Sequence, residues 1–90
     1  MSRFDSGATL THASAKAALA QGLARIEAGA TAVDCGALAQ FDSSALAVLL
    51  AWQRAARRAR GVTLDIENLP PKLASLAQAY GIDTLLSGRH

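Results

Sequence analysis

The chain has a single cysteine, Cys35, in ninety residues. One thiol excludes an internal disulfide and fits a reducing compartment. With only His12 and His90 beside it, at no ligand spacing, it offers no metal site, and neither metal nor cofactor is expected. Aromatic residues make up 4%, too few for a base-stacking surface. A net charge of +2 is too small to point to nucleic acid by itself. Glycine-rich phosphate loops are missing, and so is a Gly-x-Ser-x-Gly elbow. The longest apolar run, residues 45–52, falls far short of the ~20 residues that span a bilayer. The opening MSRFDSGATL lacks the apolar stretch of a signal peptide. These absences lead to the expectation of a soluble, cytoplasmic protein.

What is present is 51% apolar and rich in alanine, a composition that suits helices packed closely on a sheet and argues against disorder. The length allows one domain, residues 1–90. RFDSGATLT reads as a short hairpin with Asp5-Ser6-Gly7 at its turn. HASAKAALAQGLARIEAG sets Ala15, Leu19, Gly22, Leu23 and Ile26 at helical spacing before a stop at Gly29. TAVDC is expected to be a buried central strand, delivering Asp34 and Cys35 at its carboxyl end. GALAQF is a loop or a short edge strand. A second helix covers residues 44–60 and stops at Gly61. VTLDI is a further strand, and Leu69-Pro70-Pro71 opens a third helix, with Leu73, Leu76, Ala77 and Tyr80 inward and Gly81 at its end. IDTLL closes as a short strand or a turn of helix. Strands alternating with helices predict an α/β domain, a mixed sheet of about four strands covered by helices.

The stretch QFDSSALAVLLAW carries the question of function. At ~100° per residue, Ala45, Val48, Leu49, Trp52, Ala55, Ala56 and Ala59 share the side for the sheet. The opposite side begins with Leu46, Ala47, Leu50 and Ala51 and ends with Arg54, Arg57 and Arg58, where the macrodipole favours cations. Either another element of the domain or a partner covers the apolar half. Few elements are left over in so short a chain, and contiguous apolar patches mark interfaces, so a partner is expected. The arginines read equally as a solvated face or as contacts to an acidic partner. Asp42, Ser43 and Ser44 stand at the head of this helix. Capping explains any one of them and the full set less well.

These segments resemble the STAS family, the domain shared by anti-sigma factor antagonists and the cytoplasmic tails of sulfate transporters. The residues that carry the resemblance are VDCGAL at a strand end, FDSSALAVLL, the basic helix end, and GVTLDIENLPPKLASLAQAYGI. In the family, Asp-Ser-Ser-Gly-Leu opens the corresponding helix, and its first serine is phosphorylated in the sigma-regulating members. The resemblance puts that serine at Ser43, with Asp42 as its acidic neighbour and Ser44 following. Ala45 stands in place of the usual glycine, and THASA in place of a Gly-Glu-Leu-Asp-like segment. With the abbreviated N-terminal hairpin, these departures look more like the small STAS subunit of the Mla phospholipid-transport complex.

The resemblance then implies a non-catalytic cytoplasmic accessory subunit, peripheral at the inner membrane through its partner, the ABC ATPase of a system maintaining outer-membrane lipid asymmetry. It implies docking through Asp42, Ser43, Ser44, Leu46, Ala47, Leu50, Arg54 and Arg57, with Ser43 a candidate phosphorylation site. A phosphate would add roughly −1.5 to −2 charges, which a helix N-terminus tolerates and an apolar interface does not. Self-association through Leu46 and Leu50 is open to the chain when the partner is absent. The alternative that the resemblance leaves is an anti-sigma factor antagonist regulated at Ser43.

Catalysis has no comparable support. Ser43, His12 and Asp34 would form a triad only if the fold assembled them, and no spacing brings His12 to Ser43. Cys35 reads as a small buried hydrophobe, Asp34 as a loop cap and His90 as part of a terminal tail. Arg54, Arg57, Arg58 and Arg60 could meet phosphates, but without stacking side chains they do not make a nucleic-acid surface.

Overall fold

In the computed structural model, residues 3–87 are described; His90 lies outside them. The order is β1 (Arg3–Asp5), β2 (Thr9–Leu10), α1 (Ala15–Glu27), β3 (Ala32–Asp34), β4 (Gln40–Phe41), α2 (Ser44–Arg60), β5 (Asp65–Glu67), α3 (Pro71–Ala79) and α4 (Asp83–Ser87). Among the described residues the strands form a three-stranded sheet, β1-β3-β5, and a two-stranded sheet, β2-β4, with every pairing parallel. Parallel neighbours require crossover connections, and α1 and α2 supply them. The α/β class follows the sequence. The sheet differs from the mixed four-stranded one expected.

The difference begins at the expected hairpin. The Asp5 carboxylate accepts the Gly7 N–H at 2.7 Å, and Gly7 adopts φ +84°, so the turn residues act as residues of their type do. They turn a corner, however, and do not fold the chain back. Ser6 N–H donates to the Asp34 carbonyl at 3.0 Å, and the chain then leaves the first sheet to begin β2 beside β4. IDTLL, read as strand or helix, is helical α4.

Trp52 lies at the centre of the core, 1% exposed, with its ring edge-on to Phe4 at a centroid distance of 5.2 Å. Its indole N–H donates to the Leu19 carbonyl of α1 at 3.2 Å, and Gly22 leaves room for the ring. Leu10, Ile26, Leu49, Leu64 and Leu73 are fully buried around it, each worth roughly 1.5–3 kcal/mol on transfer from water. Arg60 Nη2 donates to the Glu27 carbonyl at 3.2 Å, where the C-terminal dipole of α1 favours a cation. The carboxyl ends of α1 and α2 therefore lie together.

On its other flank α2 meets α4 and the residue that precedes β5 through Gln53. The buried Gln53 amide donates to the carbonyls of Leu64 (2.8 Å) and Leu86 (2.7 Å), and its oxygen accepts the Leu64 N–H. Leu46 and Leu50 lie seven and three residues before Gln53, on the same flank. Leu46 is accordingly only 2% exposed and Leu50 half-buried, so Leu46 does not face outward as expected. Leu46 belongs to the buried core cluster, with Leu50 packed against it, so the flank that the sequence left open is covered within the domain.

In α3, Pro71 takes the first turn and Leu73 and Ala77 are buried. Tyr80, expected inward, is 58% exposed, because the helix ends at Ala79 and Gly81 turns the chain at φ +71°. Ile82 packs against the core after that turn. No described helix is long and apolar enough to cross a membrane.

Candidate functional site

The residues singled out around Ser43 assemble where β2 and β4 hand over to α1 and α2. Asp42 organises this end. Its Oδ1 accepts the Ser44 N–H at 2.8 Å, and its Oδ2 accepts the His12 N–H at 3.0 Å. One carboxylate thus caps the start of α2 and ties it to the loop that leads into α1. The His12 and Ser44 amides, with the Ser44 hydroxyl, hold the Asp42 carboxyl below the usual carboxylate range. On the other loop, the Ser14 hydroxyl accepts the Thr11 N–H at 3.0 Å, which closes the turn beside His12.

Because Asp42 does the capping, Ser43 does not. Ser43 occupies the N-cap position of α2, yet its side chain makes no cap hydrogen bond and is exposed. The set Asp42-Ser43-Ser44 therefore divides its roles. Asp42 holds two loops together, Ser44 is half-buried, and the Ser43 hydroxyl faces out. Ala47, one turn further along α2, is exposed, and Ala51 and Leu50 are half-buried. Arg54, Arg57 and Arg58 continue outward along the helix, all exposed.

The expected contacts are thus brought to one end and one face of α2 with a single change: Leu46 lies beneath that face. Of the two leucines expected to allow self-association, Leu46 is buried for the same reason and Leu50 is half-buried. His12 enters the site as a backbone donor, which no sequence reading assigned to it. A main-chain N–H is common to every residue except proline, so residue type carried no signal of this role.

The remaining reactive groups have partners of their own. Asp34 accepts the Asn68 amide (3.0 Å) and the Gly36 N–H (2.8 Å), and these two donors hold its carboxyl low. No hydrogen bond joins the side chains of Ser43, His12 and Asp34 among the described residues. Cys35 is fully buried. Burial pushes its thiol up to about 11, against the lowering effect of the Ser6 hydroxyl, with the nearby Asp34 and Asp5 charges raising it further. A protonated thiol is a weak nucleophile. No group of three His, Cys, Asp or Glu among the described residues could hold a metal ion. Two cavities, of about 430 and 370 Å³, are lined by other residues. The Ser43 end therefore presents small side chains around the exposed Ser43 residue, with exposed arginines further along α2, and its residues line neither of these cavities.

Against known families, the model described as "Mlab, STAS domain" matches residues 7–87. Neither a curated protein nor a solved structure matches the chain.

Proposed function

The chain belongs to the STAS domain family, of the MlaB-like kind, and from that premise we propose that it is a non-catalytic accessory subunit that binds and supports the ABC ATPase of an Mla-type phospholipid-transport system. STAS domains are in general protein-interaction modules. The observation that carries the reading is the free Ser43 hydroxyl on a face of small side chains, next to a carboxylate already engaged in capping. Ser43, Ala47 and the exposed edge of Leu50 form the centre of the docking face. Asp42 and Ser44 shape it, Arg54 and Arg57 flank it, and Leu46 supports it from beneath. The subunit sits in the cytoplasm, peripheral at the inner membrane through the ATPase.

The exposed Ser43 hydroxyl at a helix start also favours a second reading, an anti-sigma factor antagonist, since a phosphate there would lie at the positive end of the α2 dipole. Pull-down from the native cells separates the two. Tagged wild type and Ser43→Glu are compared by mass spectrometry. The expected outcome is an ABC ATPase with wild type and its depletion with the variant, because a carboxylate in an apolar interface must lose its water. Retention of the ATPase by Ser43→Glu would remove Ser43 from the interface. Recovery of a kinase-like anti-sigma factor would replace the transport reading with the second one.

A further inference from the structure

β5 ends the three-stranded sheet, so one of its edges has no strand neighbour among the described residues. Asp65 N–H donates to Thr31 at 3.0 Å, and the Glu67 carbonyl accepts from Cys35 at 2.8 Å. The main-chain polar groups of these two residues therefore turn toward β3. Alternation along a strand turns the Ile66 N–H and C=O to the open edge.

That edge runs along the cavity of about 430 Å³. Ile66, Leu69, Ala77 and Leu86 supply apolar lining, and Asp65, Glu67 and Asp83 supply three carboxylates. None of the lining residues is basic. Glu67 is already paired with Arg3 across the sheet at 2.6 Å, whereas Asp65 and Asp83 are exposed.

Three independent features therefore coincide: an open strand edge, an apolar groove beside it, and an acidic rim. Strand addition satisfies the first through backbone hydrogen bonds, while alternate side chains reach the groove and the rim. At ~3.3 Å per residue, the three residues of β5 match a short extended segment. The rim repels an anionic bilayer or a nucleic acid and attracts lysine and arginine. We propose that this groove receives a short extended segment of a partner protein in which apolar residues alternate with lysine or arginine. The site is separate from the Ser43 face, and its occupancy does not depend on which partner binds there.

The test uses the full chain, labelled with ¹⁵N, and a blocked Lys-Val-Lys-Val-Lys peptide followed by NMR. The expected result is a saturable shift of the Ile66 amide, with no shift from a Glu-Val-Glu-Val-Glu peptide. The double variant Asp65→Asn, Asp83→Asn changes only exposed side chains and should bind roughly tenfold more weakly. A basic peptide N-methylated on the nitrogens facing β5 leaves the protein untouched and should leave Ile66 unshifted. Three results would overturn the proposal: an Ile66 amide indifferent to the basic peptide, equal binding of the N-methylated peptide (charge attraction without strand addition), or a concentration-dependent Ile66 shift of the protein alone (a second copy as the occupant).

Discussion

The indole of Trp52 fills the space that a side chain at Gly22 would need: a Cβ built there would overlap the ring. The ring cannot easily give way, because it is held by the Leu19 carbonyl at 3.2 Å and by Phe4 edge-on at 5.2 Å. The replacement Gly22→Ala gains about 1 kcal/mol of helix propensity and loses about 1–3 kcal/mol to overpacking. With the ring pinned, the loss should win. Urea denaturation followed by tryptophan fluorescence should show a lower midpoint, and an unchanged one would mean that the indole moves freely.

Gln53 acts as a strand neighbour made from a side chain. Its amide pairs with both the N–H and the C=O of Leu64 and also reaches Leu86. Gln53→Leu keeps the volume and leaves three buried backbone groups unpaired. Each unsatisfied group costs about 1–3 kcal/mol, and water entering at the α4 side would recover part of it. The expected destabilisation is on the order of 3 kcal/mol, with faster amide exchange at Leu64 and in α4. A loss under about 1 kcal/mol would mean that α4 is held by its apolar contacts alone.

The period of α2 was legible in the sequence, and so was most of its inward stripe: Ala45, Val48, Leu49, Trp52 and Ala56 are buried and Ala55 half-buried, whereas Ala59, in the last turn, is exposed. What covers its flank was not legible. IDTLL is too short for its periodicity to separate strand from helix, so the contact of α4 with Gln53 gave no signal in the sequence. The Asp5-Ser6-Gly7 corner shows a similar limit. The residues specify a turn, while the direction in which the chain leaves it depends on β3 accepting β1 as a parallel neighbour. At the candidate site, Asp42 and Ser43 stand out in the sequence by their pattern. The link from Asp42 to His12 spans thirty residues through a backbone N–H, and no side-chain signature marks it. Gln53 had a signal that went unused: a lone uncharged amide beside the apolar stripe of a helix otherwise edged with arginine.

Leu46 and Ala47 are neighbours in sequence with opposite environments, the first 2% exposed and the second exposed. Leu46→Asp buries a carboxylate without a partner and should unfold the domain or cost several kcal/mol, so its effect on binding reports stability. Ala47→Asp lies on the surface of the first turn of α2, where a negative charge is tolerated, and should change stability by less than about 0.5 kcal/mol. It should nevertheless deplete the ATPase in pull-down, because it puts a charge into the proposed apolar contact. Full recovery of the partner with Ala47→Asp would move the docking face off this helix.

Cys35 gives the domain a pH dependence on the alkaline side. Its thiol titrates at about 11 in the fold, against an ordinary value of 9.0. Between those values the unfolded chain loses its proton while the folded chain keeps it, so the unfolded state binds fewer protons and stability falls as pH rises. The contribution is fully present below pH 9.0 and is lost as pH approaches 11, a total of roughly 2–3 kcal/mol at 1.36 kcal/mol per unit. Cys35→Ala removes the titrating group and should flatten this limb, although it also starts from a somewhat lower stability because a buried atom is lost. Denaturation midpoints of the two proteins at pH 8, 9, 10 and 11 test this, and parallel curves would show that the Cys35 thiol is not raised by the fold.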